Sequence, residues 1–179
     1  MLHEIITPVL GFAAYSGSGK TTLLTKVIPI LVAAGLRIGL IKHGHHNFQI
    51  DHPGKDSYRL RKAGAEQVLL AGRERSALII EHPQPVQEPR LEDQFKHLDC
   101  EQLDLILVEG FKHAAIPKIE VYRADLGHPQ LSNNDSHIIA LVTDNAPELT
   151  PDIPVLDINQ PQQVADFILK QWLAHGSNI

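Results

Sequence analysis

Residues 14–21 have the spacing of a loop that binds the phosphate groups of a nucleotide. Such a loop reads glycine, four variable residues, Gly-Lys and then Ser or Thr, and Gly19, Lys20 and Thr21 supply its end. We expect Lys20 to contact the β and γ phosphates and the Thr21 hydroxyl to bind Mg²⁺. Ala14 replaces the usual first glycine, so its methyl group fits only if its φ is negative. The candidate nucleotide-binding residues of the loop are Ser16, Gly17, Ser18, Gly19, Lys20, Thr21 and Thr22.

The segments on either side of the loop argue against a chance Gly-Ser turn. The apolar residues 9–13 before it read as a buried strand, and apolar residues recur at helical spacing after it. The recurring residues are Leu23, Leu24, Val27, Ile28, Leu31 and Val32. Gly35 follows where a helix would end in a glycine cap, and Pro29 inside the pattern can bend that helix. We therefore predict a strand, a phosphate loop and a helix whose dipole favours a polyphosphate.

A metal-binding carboxylate is expected at the end of a strand beside this loop, and Glu109 occupies such a position. It closes the apolar segment 103–108, and Gly110 lets the chain turn away close to the γ phosphate. The alternative is an ordinary strand end with an exposed glutamate. Asp104 is predicted to lie at the opposite end of the same strand.

A polar cluster follows the second predicted strand, residues 36–42. From its position, Lys42 can face the γ phosphate and Asp51 can reach the metal, directly or through water. Lys20, Lys42 and Asp51 are therefore the candidate catalytic residues, and Thr21, Asp51 and Glu109 the candidate metal ligands. The histidines at positions 43, 45, 46 and 52 also raise the possibility of zinc, but their spacing matches no standard zinc site. A solvated loop or contacts to a substrate are the other interpretations.

Thr143 and Asp144 follow another apolar segment, residues 138–142, where the base of a nucleotide can be recognised. A carboxylate there accepts hydrogen bonds from N1–H and the 2-amino group of guanine, neither of which adenine offers. We expect Asp144 to favour GTP by tenfold or more, since an unpaired buried carboxylate costs roughly 1 to 3 kcal/mol. A simple turn is the alternative, because Asp and Asn are common turn residues.

The composition is typical of one α/β domain, which we take to span residues 1–179. Sixteen basic and 21 acidic side chains give a formal net charge of −5. We expect no nucleic-acid partner, because no basic stripe accompanies this balance. The longest apolar runs have the length of strands and the N-terminus lacks a signal-peptide layout, so we expect a cytoplasmic protein without a membrane segment. Cys100 has no second cysteine with which to form a disulfide.

The alternation of strand-like and helix-like segments predicts a doubly wound, mostly parallel α/β sheet flanked by helices, with an antiparallel edge region. Further predicted strands cover residues 68–70, 78–80, 103–108, 118–122, 138–142 and 155–156. Residues 118–122 alternate between apolar and polar types, which favours an edge strand. Helices are predicted over 56–65 and 91–98, a surface loop over 82–89, and a final helix that Asn159 caps. The apolar stripe of that helix is Val164, Phe167, Ile168 and Trp172.

Together these segments resemble the molybdopterin-guanine dinucleotide biosynthesis protein B family, accessory GTP-binding proteins of molybdenum cofactor maturation. The resemblance runs nearly from end to end of the chain. Four strings carry it: FAAYSGSGKTTLL (12–24), GLIKHGHH (39–46), PGKDSYRLRKAGA (53–65) and LDLILVEGFKH (103–113). The third and fourth strings are far more specific than the phosphate loop alone.

The resemblance implies a P-loop NTPase fold related to that of dethiobiotin synthetase, with GTP and Mg²⁺ binding, slow hydrolysis and a homodimer. It implies as partners the guanylyltransferase that joins GMP to molybdopterin, a molybdenum-insertion protein and molybdopterin itself. We expect a GTP-loaded adaptor whose nucleotide orders residues 43–56. An ATP-dependent small-molecule kinase or ligase of the dethiobiotin synthetase type is one alternative. A module that binds GTP only structurally is the other.

Overall fold

The computed structural model describes residues 6–44, 50–82, 88–145 and 152–174 of the chain. The chain forms two compact units, one made of residues 1–43 and 90–179 and the other of residues 44–89. Within the described ranges, no helix has the length and apolar character needed to cross a membrane.

The strands and helices alternate along the chain as predicted. In chain order the elements are β1 (Val9–Ala13), α1 (Lys20–Ala33), β2 (Ile38–Lys42), α2 (Asp56–Lys62), β3 (Gln67–Ala71), β4 (Ser76–Ile80), α3 (Leu91–Gln94), β5 (Leu105–Glu109), β6 (Lys118–Tyr122), β7 (Ile138–Thr143), β8 (Val155–Asp157) and α4 (Pro161–Asp166). Short 3₁₀ turns cover Phe95–His97, Cys100–Gln102, Ala124–Leu126 and Leu131–Asn133, and a π-helical segment, Phe167–Leu173, continues α4.

The first unit is built on a six-stranded sheet with the order β2-β5-β1-β6-β7-β8. Every neighbouring pair in it is parallel. In the second unit, β3 and β4 form an antiparallel pair. The predicted fold class, a mostly parallel sheet flanked by helices with a small antiparallel region, is confirmed. The carboxyl ends of the parallel strands lie at one edge, which is where ligands bind in such sheets.

Both faces of the central strands are buried, which explains their continuous apolar sequences. In β5, Leu105 and Leu107 pack in a cluster with α1 and α4, whereas Ile106 and Val108 pack in a second cluster with Leu91 of α3. The first cluster also holds Val164, Phe167, Ile168 and Trp172, so the stripe predicted for the last helix is confirmed.

Helix α1 buries four of its six predicted apolar positions completely. The buried residues are Leu23, Leu24, Val27 and Leu31, whereas Val32 is about half exposed. Gly35 adopts a φ of 96° just beyond the helix, and its N–H donates to Val32 O while the N–H of Leu36 donates to Leu31 O. These two bonds satisfy carbonyls at the helix end, as expected for a glycine cap.

The prediction that β6 is an edge strand was wrong, because β6 lies inside the sheet between β1 and β7. Its polar residues are buried and paired within the protein. The ammonium group of Lys118 donates to Ala114 O and lies 2.9 Å from Asp135 Oδ2. The carboxylate of Glu120 accepts hydrogen bonds from two backbone N–H groups that lie 11 and 12 residues later in the chain. The alternation therefore reflects a buried charged row rather than a solvated face.

Three predicted boundaries also changed. The helix predicted over 91–98 ends at Gln94 and continues as a 3₁₀ turn, and α2 ends at Lys62 instead of residue 65. Asn159 does not cap the last helix, because the residue before α4 is Gln160 and its side chain makes no capping bond. The N–H of Asn159 instead donates to Asp157 Oδ1. Residues 83–87 of the predicted loop lie outside the described residues.

Asp104 lies at the entry of β5, at the opposite end from Glu109, as predicted. It accepts hydrogen bonds from the backbone N–H of Arg37 at 2.8 Å and from the Arg37 guanidinium at 3.0 Å. These bonds hold the pKa of Asp104 at about 2, below the usual value for aspartate. The pair therefore fixes the start of β2 to the start of β5.

The Glu120→Gln substitution is predicted to destabilise the protein by about 2 kcal/mol, since it weakens two charge-assisted hydrogen bonds from partly buried N–H groups to a buried carboxylate. The glutamine amide also places a donor against a donor. Urea unfolding measures the change, with Glu101→Gln as a control at an exposed site that should stay within about 0.5 kcal/mol. Equal unfolding midpoints for the two variants would contradict this role for Glu120.

Candidate nucleotide-binding site

The phosphate loop connects the end of β1 to the start of α1. Gly17 and Gly19 adopt φ values of 80° and 90°, in the region that favours glycine, and Gly19 is the residue before the helix. Among the described residues, Phe111 is the only non-glycine residue with positive φ, so Ala14 meets the condition that its methyl group requires. The hydroxyl of Ser18 donates to Tyr15 O at 2.8 Å, which closes the loop internally.

Thr21, Lys42 and Glu109 lie together beside the loop. The hydroxyl of Thr21 donates to Glu109 Oε1 at 3.0 Å. The ammonium of Lys42 lies 3.1 and 3.0 Å from the two carboxylate oxygens of Glu109. Parallel pairing explains this proximity, because Lys42 is directly opposite Glu109 in the register of β2 and β5. Three side chains predicted from separate motifs thus form one cluster.

The donor set of this cluster fits Mg²⁺. Magnesium prefers hard oxygen ligands and is commonly held by one or two protein oxygens together with phosphates and water. The Thr21 hydroxyl and the Glu109 carboxylate are such ligands, and they are already within hydrogen-bond distance of each other. Lys42 balances the charge of the nearly buried Glu109. The two oxygens therefore suit a metal that also contacts phosphate oxygens.

Lys20 lies at the start of α1 with its ammonium 3.4 Å from Ala14 O. Burial lowers the pKa of Lys20, the nearby Glu109 carboxylate opposes that change, and the positive charge of Lys42 adds to it. An anion at the loop would favour the charged form of Lys20. This is the environment expected for a phosphate-binding lysine.

Gly110 is needed because the chain approaches His43 closely. It has a φ of 91°, and a Cβ atom at this position would lie 2.7 Å from the Cβ of His43. The N–H of His43 donates to Glu109 O at 2.8 Å, and the rings of His43 and Phe111 stack with centroids 4.7 Å apart. Gly110 therefore holds the ends of β2 and β5 together, next to Glu109.

Thr143 is the last residue of β7 and Asp144 follows it, so both lie at the predicted strand end, and their contact with a base stays a prediction. The Thr143 hydroxyl donates to Asn145 O at 3.1 Å and so shapes the turn. Asp144 Oδ2 lies 2.5 Å from Nη1 of Arg123, whereas Asp144 Oδ1 is buried and has no hydrogen-bond partner among the described residues. The turn interpretation and the guanine interpretation are both compatible with this geometry, but an unpaired buried oxygen is unusual in a simple turn.

Asp51 lies in the second unit. Its Oδ1 accepts hydrogen bonds from His52 N and Ser57 Oγ, both at 3.0 Å, and its Oδ2 is buried without a partner among the described residues. Its predicted metal contact stays a prediction. His45 and His46 lie outside the described residues. Across the described ranges, no group of three or more His, Cys, Asp or Glu side chains has the geometry of a metal site.

Sequence reasoning missed Arg123 and an aromatic contact beside the phosphate loop. Tyr15 stacks on His128 with centroids 4.2 Å apart, and the Lys112 ammonium lies 5.3 Å from the Tyr15 ring centre. Arg123 could have been recognised from its position in the sequence, since it directly follows β6 at a strand end. The incorrect assignment of β6 to the edge placed this strand end away from the phosphate loop.

A parallel sheet whose first strand runs into a glycine-rich loop and a helix, with a strand-end carboxylate beside it, defines the fold of a P-loop NTPase. Comparison with known proteins places the chain within this class. Residues 9–144 match the family model of molybdopterin guanine dinucleotide synthesis protein B, and the chain belongs to that family.

Two relatives share about half of their residues with this chain. The molybdopterin-guanine dinucleotide biosynthesis adapter protein of Escherichia coli strain K12 is 49% identical over 97% of both chains. The protein of the same name from Haemophilus influenzae is 48% identical over 94% of this chain and 90% of its own. A crystal structure of molybdopterin-guanine biosynthesis protein B superposes with a TM-score of 0.68 at 28% identity, covering 90% of this chain and 96% of that one.

The Gly110→Ala substitution is predicted to reduce stability by about 1–2 kcal/mol through its positive φ and by about 1–3 kcal/mol through overpacking against His43. Gly127→Ala is the matched control, because Gly127 also has positive φ (66°) but no heavy atom within 4 Å of the added Cβ. Urea unfolding should show the larger loss for Gly110→Ala. If the two variants lost the same stability, the close approach to His43 would have no energetic effect.

Proposed function

We propose that this protein is a cytoplasmic GTP-binding adapter in molybdopterin guanine dinucleotide biosynthesis, with slow Mg²⁺-dependent GTP hydrolysis. It acts as a homodimer beside the guanylyltransferase that joins GMP to molybdopterin, and beside a molybdenum-insertion protein. The two adapter proteins that share about half of its residues support the pathway and the adapter role. The observation that carries nucleotide binding is the 3.0 Å contact between Thr21 and Glu109 beside the phosphate loop.

Different groups of the chain bind different parts of the triphosphate. Backbone N–H groups from Gly17 to Thr22 donate to phosphate oxygens, and the N-terminus of the 14-residue α1 adds its positive dipole end. Lys20 provides the fixed positive charge for the β and γ phosphates. Thr21 and Glu109 hold Mg²⁺, which neutralises charge on the β and γ phosphate oxygens when bound.

Lys42 has a different part in this proposal. Its ammonium contacts both oxygens of Glu109 and is about half exposed, so it is free to change partners. With Mg²⁺ bound to Glu109, Lys42 would compete with the metal for the carboxylate oxygens, and the flexible Lys42 would be able to contact the γ phosphate. Such a change of partner would link the state of the nucleotide to the end of β2 and to His43 beside it.

We expect slow hydrolysis because the cations assigned to the phosphates among the described residues are two lysines and no arginine. Lys20 and Lys42 both lie near Glu109, and the positive charge of Lys42 helps to lower the pKa of Lys20. The guanidinium of Arg123 is instead held by Ser18 O and Asp144. A supplied arginine at the γ phosphate is worth about 10³ to 10⁵ in rate. We therefore expect the protein to remain loaded with GTP long enough to act as an adapter.

Guanine selection is assigned to Asp144. Its buried Oδ1 lacks a partner among the described residues, and guanine offers N–H donors from N1 and the 2-amino group. Adenine offers no donor at either position, so it would leave the buried oxygen unpaired at a cost of about 1 to 3 kcal/mol. This contact separates the proposal from an ATP-dependent kinase or ligase.

The first test is nucleotide affinity of Asp144→Asn, measured by calorimetry with Mg²⁺ and GTP, ATP or xanthosine triphosphate. The natural chain should prefer GTP over ATP by about tenfold or more. The variant should lose most of that preference and gain affinity for xanthosine triphosphate, because an amide N–H₂ donates to the 2-carbonyl of xanthine. Asp125→Asn, at an exposed position after β6, is the control and should behave as the natural chain. Equal or better ATP binding by the natural chain would favour the kinase or ligase instead.

The second test is the nucleotide dependence of partner binding. Mg²⁺·GTP should strengthen capture of the guanylyltransferase by the natural chain, and Lys20→Ala should remove that effect, because the β and γ phosphates lose their main charged contact. Lys26→Ala, an exposed lysine of α1, is the control. If Lys20→Ala bound the partner as well as the natural chain with and without GTP, the adapter would not be controlled by nucleotide.

A further inference from the structure

Arg123 contacts two parts of the candidate site at once. Its Nε donates to Ser18 O in the phosphate loop at 3.3 Å, and its Nη1 lies 2.5 Å from Asp144 Oδ2. A Cβ atom on Gly19 would lie 3.8 Å from Nη2 of Arg123, so the Arg123 guanidinium lies against the backbone of the phosphate loop. The one side chain therefore joins the phosphate loop to the end of β7.

The two oxygens of Asp144 have different surroundings. Oδ2 is neutralised by Arg123, whereas Oδ1 is buried without a hydrogen-bond partner among the described residues. A buried carboxylate oxygen that is left unpaired is costly and calls for a donor. The pairing with Arg123 fixes the carboxylate and leaves Oδ1 available for an N–H group of a ligand.

We propose that Arg123 is a positioning residue for guanine recognition, which holds the Asp144 carboxylate in place and ties it to the phosphate loop through Ser18. This inference rests on the proposed contact between Asp144 and guanine. A guanidinium suits the task because its donors are fixed in one plane and can reach two acceptors, whereas an ammonium is a compact point charge. Arg123 thus keeps a constant distance between Asp144, which contacts the base, and the phosphate loop.

The strand that carries Arg123 is held firmly. Within β6, buried Glu120 accepts hydrogen bonds from the N–H groups of Leu131 and Ser132. Buried Lys118 pairs with Asp135 at 2.9 Å. These contacts fasten residues 131–135 to β6, the strand that Arg123 directly follows.

The test compares Mg²⁺·GTP, Mg²⁺·ATP and Mg²⁺·tripolyphosphate binding by calorimetry for the natural chain, Arg123→Met, Arg123→Lys and Asp144→Asn. In Arg123→Met we expect GTP affinity to fall about tenfold, with ATP and tripolyphosphate affinity changed less than about threefold. Arg123→Lys should show an intermediate loss of the GTP-to-ATP ratio, because it keeps the charge but loses the separate nitrogens that reach Ser18 and Asp144 at the same time. The double variant that combines Arg123→Met with Asp144→Asn should have a GTP-to-ATP affinity ratio no lower than that of Asp144→Asn alone, since the two residues act as one unit.

Arg90→Met, at an exposed arginine outside the sheet, is the control and should leave all three affinities unchanged. Where Arg123→Met does not fold, Arg123→Lys carries the same comparison. An equal loss of GTP, ATP and tripolyphosphate affinity would overturn the proposal, because Arg123 would then support only the phosphate loop. A lower unfolding midpoint with an unchanged GTP-to-ATP ratio would also overturn it.

The same measurements separate failure of this inference from failure of the proposed function. A natural chain without a GTP preference would refute the guanine contact of Asp144, and the role of Arg123 with it. A natural chain that prefers GTP, with a preference lost in Asp144→Asn but kept in Arg123→Met, would refute the role of Arg123 alone.

Discussion

The parallel register of β5 between β1 and β2 is the constraint on which the arrangement of Glu109 and Lys42 beside the phosphate loop depends. It places Glu109 opposite Phe12 of β1 and opposite Lys42 of β2, at the edge where the phosphate loop begins. The register is stabilised by burial of β5 on both faces and by the ion pair of Arg37 with Asp104 at its entry. A shift of one residue would turn Glu109 to the other face of the sheet.

A second constraint lies in β6, where charge is buried inside the sheet. Lys118 passes over Gly11 of β1 so closely that a Cβ atom there would lie 2.7 Å from its Cγ. Its ammonium pairs with Asp135, and the Glu120 carboxylate accepts hydrogen bonds from the N–H groups of Leu131 and Ser132, so both side chains hold the following segment. Burying charges in this way is costly unless every group is paired, and pairing fixes one conformation. Arg123 directly follows the strand that makes these contacts.

The sequence predicted the phosphate loop, the mostly parallel sheet and the approximate bounds of most strands, because these depend on local spacing and apolar periodicity. It predicted Glu109 because a strand-end carboxylate is visible as the last residue of an apolar run. It failed for β6, since a buried charged row and a solvated face have the same alternation along the chain. Arg123 was missed for a related reason: its partners Ser18 and Asp144 are distant in sequence, and only the strand order brings them together.

The two carboxylates of the site are each balanced by a cation from the chain, but the cations differ in how firmly they are held. Lys42 has a compact charge on a flexible and half-exposed stem, so it is the more easily displaced of the two cations. Arg123 makes hydrogen bonds to two acceptors, one of them in the phosphate loop, and moving it would break both. Under the proposed function, the metal side is therefore the adjustable part and the base side is organised in advance. Under the proposed function, this division assigns nucleotide selection to Arg123 and Asp144, whereas Lys42 and Glu109 respond to the phosphates and transmit their presence to β2.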